Sequence, residues 1–583
     1  MSDTSVLPVA SQTDCAMPLV AAQPGIWMAD QLSPHGNAYT VAHYIEIDGA
    51  LDADAMLQAI VQGLNEADTL TMRFEERDGI ALQTPCAPSP AFAPECIDLR
   101  QSADPEQAAL NLMRQDLAQE RRILSGKMLH RHVLMRINNA RWFWYQRYHH
   151  IQVDGFSFTA IARRIAQLYT AISQGRTPVI SPFAPFRDVV EEYAHYQQSP
   201  AFTRDAAFWR EKAKTLPAPA TVCPQPLAGQ VPSVRLHLLS CHCEAVQIAA
   251  LVGMETAQQL TASDIAIALL ALWVSRLSGQ TAFCSGFIFM RRMGSAALCA
   301  TGPVINVLPV AMRVNPDITL TELAVSLRHE LKTVRRHQRY DAEQISRDLG
   351  LAGDVQPLYG TVFNFKMFDY HLDFNGVAGI THDLVSGPVR DLEISLHIAE
   401  DGALTVDLLA NAERYDRDEL HAHLQRLPLL LRQFAQDATL KVGAADLLSD
   451  ADHKLLERVN ATGHDVVKST LSQQLAQQAE RTPHAPALAD QHHQFSYTQT
   501  RQQVAALAQQ LIQQGVQRGD IVAVALPRSV FLSLTLMAIV EVGAAYLPLD
   551  TGYPDERLRM MLEDASPRPV SYTHLTLPTT PYV

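Results

Sequence analysis

Apolar and polar positions alternate along this chain in a way that divides it into three α/β stretches. In the first, Tyr39–Asp48 and Met128–Ile137 keep the period of two that puts successive side chains on opposite faces of a strand. Thr69–Glu76 and the aromatic run Trp142–Tyr148 read the same way, since aromatic residues suit a pleated, half-buried surface. Asp52–Glu66 and Pro105–Arg121 carry helical spacing, the second with Asp104 as cap and Pro105 at its first position. A short helix is expected to begin at Pro24. Another follows the aromatic run, with Ile161, Ile165, Leu168 and Ile172 as its apolar stripe and Ser157 as its cap.

The second stretch comes after a proline-rich connection, 178–185, and a polar, mostly helical segment, Phe186–Phe208. Its pattern gives strands at Val234–Cys243, Ala282–Met290, Val304–Val314, Gly360–Phe368 and Leu404–Leu409. Helices are expected at Glu244–Leu251, Ala262–Ser278, Thr321–His337 and Arg417–Ala435. Similar element content in both stretches predicts two related α/β lobes, residues 17–180 and 181–440, with a cleft between them as the favoured ligand site. Residues 441–468 read as a polar linker and 469–567 as a further α/β unit. Within that unit, Val530–Leu549 is the most membrane-like run, but Ser533, Glu541, Gly543 and Pro548 favour a buried helix and strand. Residues 1–16 are expected to be disordered. The Thr/Pro-rich tail, 568–583, has no periodicity and looks foreign, so the last unit looks cut short for a domain.

Composition narrows the functional classes. A net charge of −14 over 583 residues, with no Lys/Arg-rich block, argues against nonspecific binding to nucleic acid or anionic membrane. Eight scattered cysteines in so long a chain read as reduced thiols and a cytoplasmic location. Cys241 and Cys243 would share one strand face, but no second ligand pair follows at zinc spacing, so no metal site is expected. The first residues, Met1-Ser-Asp-Thr4, lack the basic start and apolar core of a signal peptide.

Candidate chemistry concentrates in His149-His150-Ile-Gln-Val-Asp154-Gly155-Phe-Ser157. Alternation places His150 on the face of Trp142, Trp144, Gln146 and Tyr148, and His149 on the other. Gly155 permits a sharp exit into the helix. This arrangement would hold one imidazole at the mouth of a cleft, with Trp144 and Tyr148 as cleft candidates. Four readings compete. A metal site is disfavoured, because adjacent strand residues face opposite sides and no third ligand is near. A Ser/His hydrolase would need a nucleophile elbow that the sequence lacks. A buried histidine satisfied by a carboxylate, and a single histidine acting as base or positioning group in acyl transfer, both stay open.

The nine residues resemble the HHxxxDGxS motif of nonribosomal peptide synthetase condensation domains. Further segments resemble that family's other motifs in the family's order: Ala22–Trp27, Asp68–Phe74, Phe186–Tyr196, Gly302–Pro309 (as the crossover strand), His337–Glu343 and Pro357–Phe365. Phe495-Ser-Tyr497 and Val542–Asp550 resemble the first two motifs of an amino-acid adenylation domain. The resemblance implies two chloramphenicol-acetyltransferase-like lobes in a V-shaped pseudo-dimer, followed by the N-terminal part of an ANL-type adenylation domain. It implies an amide-forming acyltransferase whose substrates ride on the phosphopantetheine arms of partner carrier domains, not on this chain. Phrases such as Gly-Phe-Ile-Phe-Met-Arg-Arg292 resemble members that build catechol siderophores. That implies an aryl carrier protein bearing 2,3-dihydroxybenzoyl as donor, and a seryl group on a downstream peptidyl carrier, missing here, as acceptor.

By the same resemblance, His150 would accept the ammonium proton or hold the amine in line. His149, Gly155 and Ser157 would shape the motif, and Asn306 and Asn364 would join the cleft. Asp154 would anchor the turn through an ion pair. Family members often carry that partner arginine at the position of Thr71, so Arg73, two residues on and on the same strand face, is the expected replacement. The glycine-rich phosphate loop and catalytic lysine of adenylation domains are absent, so ATP/Mg chemistry is expected only of a complete adenylation domain. Rival readings are an epimerisation domain, which usually follows a carrier domain, a heterocyclisation domain, which His149 contradicts, and a catalytically inactive carrier-docking domain.

Overall fold

In the computed structural model the described residues are 16–33, 36–87, 94–230, 232–253, 260–350, 357–366, 372–399, 401–466 and 468–568. The readings placed on residues 1–15 and 569–583 lie outside them. The chain forms two units, Met1–Leu455 and Leu456–Val583.

The aromatic run becomes the strand Arg141–His149, buried from Trp142 onward. It pairs antiparallel with Thr40–Asp48 on one side and His130–Arg136 on the other. Trp142, Trp144 and Tyr148 face a core built with the helices Ala53–Glu66 and Gly155–Ser173. Phe143 and Tyr145 face the opposite core, against Ala109 and Met113 of the helix Pro105–Leu117. Burial on both faces explains an aromatic run where a strand with one wet face would alternate with polar residues.

The complete six-stranded sheet runs Leu372–Asp373, Ala378–Ser386, Thr40–Asp48, Arg141–His149, His130–Arg136, Glu95–Asp98. Its first two strands come from the second stretch of sequence, so the expected boundary at residue 180 does not hold. Ala378–Ser386 pairs along Thr40–Asp48 and closes an edge that would otherwise be open. The segment expected to cross over, Gly302–Pro309, instead leads into Asn306–Arg313, an edge strand of the second sheet.

That second sheet runs Asn306–Arg313, Ala282–Phe289, Val362–Phe365, Leu392–Ile398, Leu404–Asn411, Leu236–Cys243. Its central helix, Ala262–Ser278, is apolar all round and buried from Ile265 through Ser275. A capping box of Thr261 and Asp264 starts that helix. The helix expected over Arg417–Ala435 divides into Arg417–Leu424 and Arg426–Gln436, because Pro428 offers no N–H to the carbonyl of Leu424. Part of the expected linker is built into the fold: Val442 and Ala445 join the second core, and Asp450–Asn460 is a helix. Thr69–Glu76 splits into a 3₁₀ turn, Asp68–Thr71, and a strand, Met72–Arg77, in a small sheet with Ile80–Pro85 and Met17–Pro18.

The second unit has the helices Leu471–Arg481, Tyr497–Gln513, Val530–Val542 and Asp555–Ala565. Its strands Ile521–Val524 and Ala545–Pro548 pair in parallel. Among the described residues no helix is long and apolar enough to cross a membrane.

The first core contains unusual members. His43, His130 and His132 are buried beside Gln146 and Tyr148 on neighbouring strands. Burial lowers the pKa of His43 and of His130 to about 4, and that of His132 well below its ordinary value. Above about pH 6.5 these imidazoles are neutral in both folded and unfolded chains and add no pH dependence. Below it the unfolded chain takes up protons that the folded histidines refuse, so stability falls by about 1.4 kcal/mol per pH unit per histidine until about pH 4. Denaturant unfolding across that window should therefore show a shallower slope in His130→Gln than in wild type. Equal slopes would exclude His130 as a source.

Candidate active site

The strand Arg141–His149 ends one residue before His150, which opens a turn instead of continuing the alternation. Its N–H donates to the carbonyl of Tyr39 at 2.8 Å, and Gln152 N–H closes the turn onto the His149 carbonyl at 3.0 Å. His150 is therefore half-buried outside the aromatic core. Trp144 and Tyr148, expected in a cleft, are fully buried core residues, because the turn carries His150 away from their face. Nδ1 of His150 lies 2.8 Å from the Val153 carbonyl oxygen. A carbonyl oxygen only accepts, so Nδ1 carries a proton and the neutral ring keeps its lone pair on Nε2. On another side of the ring is Gly387, with φ +91°, just past the crossing strand. A Cβ there would sit 3.6 Å from Cδ2 of His150.

His149 is buried, its Nε2 3.5 Å from Asp30 Oδ1 and its Nδ1 accepting from Ile151 N–H at 3.2 Å. Burial lowers its pKa, opposed by Asp30.

Asp154 is the N-cap of the helix Gly155–Ser173, accepting from Ser157 N–H at 2.9 Å. The cap expected at Ser157 thus sits three residues earlier, and Ser157 serves as the capped residue, its hydroxyl 2.6 Å from the same oxygen. Gly155 is the first helical residue, and the cap, not a left-handed glycine, makes the turn. The other partner of Asp154 corrects the expectation of Arg73. Arg292 Nη2 lies 2.8 Å from both carboxylate oxygens, and Val304 N–H donates at 3.1 Å. Arg73 belongs to the small sheet, opposite Thr84 and near Cys86. Arg292 is buried, and its Nη1 donates to the carbonyls of Ala297 and Ala300. Its guanidinium lies 4.3 Å over the ring of Phe156. Burial pushes the Asp154 carboxyl up, but Arg292, Ser157 and Val304 outweigh it and hold the pKa below its usual range.

Asn306 and Asn364, expected in the cleft, both hydrogen-bond to other partners. Asn306 is buried, donating to the carbonyls of Gln338 and Tyr340 at 3.0 and 2.9 Å and accepting from Ala342 N–H at 3.1 Å. Asn364 donates to Glu393 on the neighbouring strand at 2.9 Å. The junction of the lobes is fixed further by a 2.8 Å hydroxyl pair, Thr69 with Thr301, and by Gly302, where a Cβ would fall 2.0 Å from the Phe186 ring. Sequence reasoning missed Arg292 and Gly387. The tandem Arg291-Arg292 after a strand was a visible signal, but its pairing with Asp154 spans 138 residues.

The two α/β lobes are thus locked together beside a histidine-bearing turn. The chain belongs to the condensation-domain family, whose profile matches residues 14–457; the AMP-binding enzyme profile matches residues 475–577. It is 51% identical over 562 residues to enterobactin synthase component F of Escherichia coli O157:H7, covering 96% of this chain and 43% of that protein. It is 34% identical over 560 residues to a dimodular nonribosomal peptide synthase of Bacillus subtilis strain 168, covering 95% of this chain and 23% of that one. The chain thus spans less than half the length of these curated relatives. A substituted starter condensation domain of rhizomide synthetase RzmA, solved with C8-CoA and Leu-SNAC, superposes with a TM-score of 0.67 at 30% identity, covering 75% of this chain and 98% of that one. The first condensation domain of the calcium-dependent antibiotic synthetase, with a substrate analogue, gives 0.67 at 25% identity, covering 75% and 100%.

Removing either member of a buried ion pair strands the other charge. Asp154→Ala and Arg292→Ala should each lower unfolding free energy by about 3–5 kcal/mol. Arg73→Ala and His150→Ala should each change it by less than about 1 kcal/mol. Denaturant unfolding of the four variants checks this, and a large loss in Arg73→Ala would contradict the pairing.

Proposed function

We propose that this chain condenses a carrier-bound acyl thioester with a carrier-bound aminoacyl thioester, and that His150 is its catalytic residue. The observation that carries this reading is the locked tautomer: Nδ1–H donated to Val153 leaves Nε2 as a proton acceptor on a turn held rigid by Asp154 and Arg292. The acceptor amine attacks the donor thioester carbonyl carbon. The C–N bond forms, the C–S bond breaks, and the proton lost by the attacking nitrogen passes to Nε2 of His150 and from there to the departing thiolate. Holding amine and carbonyl in line supplies several kcal/mol of barrier lowering, and a general base adds about 10²–10⁴-fold. His149, buried against Asp30, and Asp154, consumed by its ion pair, serve the turn's shape and not its chemistry.

Similarity to enterobactin synthase component F supports the finer assignment to enterobactin biosynthesis. On that reading the donor is 2,3-dihydroxybenzoyl on an aryl carrier protein and the acceptor is seryl on a peptidyl carrier. The phosphopantetheine arms belong to these substrates. Free cysteines among the described residues accord with a cytoplasmic setting. The AMP-binding match covers residues 475–577, and ATP/Mg chemistry would belong to a complete adenylation domain.

The test supplies an aryl carrier loaded with 2,3-dihydroxybenzoate and a separate seryl-loaded carrier, and follows acceptor mass. Wild type should form the amide, and His150→Ala should lose at least about 10²-fold in rate while staying folded. No amide with folded wild type overturns the condensation reading, and full activity in His150→Ala removes the histidine from the chemistry.

A further inference from the structure

The turn that carries Glu343 is anchored as tightly as the turn that carries His150, and to the same stretch of backbone. Asn306 clamps it at Gln338, Tyr340 and Ala342. Arg291 Nη1 lies 2.8 Å from Asp341, and its Nη2 donates to the Arg339 carbonyl at 2.9 Å. The next residue, Arg292, holds Asp154 below the histidine turn. Two consecutive arginines therefore tie both turns to one point.

Glu343 lies early in the short helix Ala342–Asp348. Its carboxylate lies over the first turn of the helix Gln23–Leu32, where a Cβ on Gly25 would fall 1.8 Å from Oε1. Two residues before Gly25, Gln23 Nε2 donates to the carbonyl of Ile151, the neighbour of His150, at 3.3 Å. The carboxylate is thus referenced to the histidine turn from two directions. Among the described residues Glu343 makes no ion pair, and by surface area it is exposed. Asp341 and Arg347 face it from its own segment, Tyr359 from the segment before Val362–Phe365, and Gly25 from the helix beneath. An accessible carboxylate with no counter-ion, on an over-determined turn, is arranged to meet a mobile cation.

The acceptor of a condensation is such a cation, since an α-amine reaches the enzyme largely protonated near neutral pH. A neutral imidazole offers it a hydrogen-bond acceptor but no counter-charge. We propose that Glu343 binds the α-ammonium of the acceptor thioester and orients it toward His150, an inference that rests on the condensation reading above. Although the residue as a whole is exposed, its carboxyl end is crowded against the helix at Gly25; that local desolvation and the charge of Asp341, only partly offset by Arg347, raise the carboxyl to about 7, so it is charged above neutrality and releases the cation as it protonates.

The test measures amide formation with seryl-loaded carrier as the varied substrate. Glu343→Gln should raise the acceptor KM about tenfold, leave the donor KM unchanged and leave kcat within about threefold. In wild type the acceptor KM should rise as pH is lowered from about 8 to about 6, and Glu343→Gln should lose that dependence. Glu343→Asp should recover part of the affinity. Gly25→Ala is helix-compatible in backbone and displaces only the far end of the Glu343 side chain, so it should stay folded by circular dichroism and repeat the KM defect. A fall in kcat with acceptor KM and its pH dependence unchanged would overturn the inference. Absence of amide in wild type would instead remove the condensation reading.

Discussion

The Asp154–Arg292 pair is the constraint on which the rest of the site depends. Each partner is buried to within 2% exposure, so each charge without the other would face several kcal/mol of desolvation. The pair is tolerable because few polar atoms are left over: the carboxylate also caps a helix and accepts from Val304, and the guanidinium also donates to three backbone carbonyls. Its members come from opposite lobes. The histidine turn therefore has its final shape only when the second lobe is docked, which couples the assembly of the two halves to the placement of one imidazole.

The crossing strands add a second tie of a different kind. Ala378–Ser386 completes the first sheet by main-chain hydrogen bonds, and the chain leaves it at Gly387 beside His150. One side of the imidazole is thus lined by sequence from far downstream. The positive φ of Gly387 suits a glycine where the strand turns away. The first lobe alone would have an unpaired edge at Thr40–Asp48 and a histidine with one wall missing.

Local order was legible in the sequence wherever the physics is local. The cap at Asp104, the helix Ala262–Ser278 and the elements Val530–Val542 and Ala545–Pro548 follow from spacing and capping chemistry. The crossing strand was missed because its side chains are mostly exposed or half-buried, which leaves little contrast for alternation to reveal. Arg73 is close to the expected position in sequence, but proximity along a chain says nothing about a partner of Asp154 138 residues away. A strand period extended one residue past His149 puts Trp144 and Tyr148 on the face of His150. The error is small in sequence and large in space, since one turn separates a core face from an accessible one.

The tandem arginine shows why these errors cluster around one region. Arg291 has φ +55°, a left-handed conformation that costs an L-residue about 1–2 kcal/mol. Glycine would remove that strain but also the guanidinium that holds Asp341 and Arg339. The strained backbone is what sends neighbouring side chains in opposite directions, Arg291 toward the turn at 339–341 and Arg292 toward Asp154. An extended chain would also point them apart, but it would continue the strand Ala282–Phe289 past the lobe junction instead of turning there. A single unfavourable dihedral, offset by two buried or half-buried charge pairs, thus sets two turns relative to each other. Neither turn can shift alone without breaking an arginine contact.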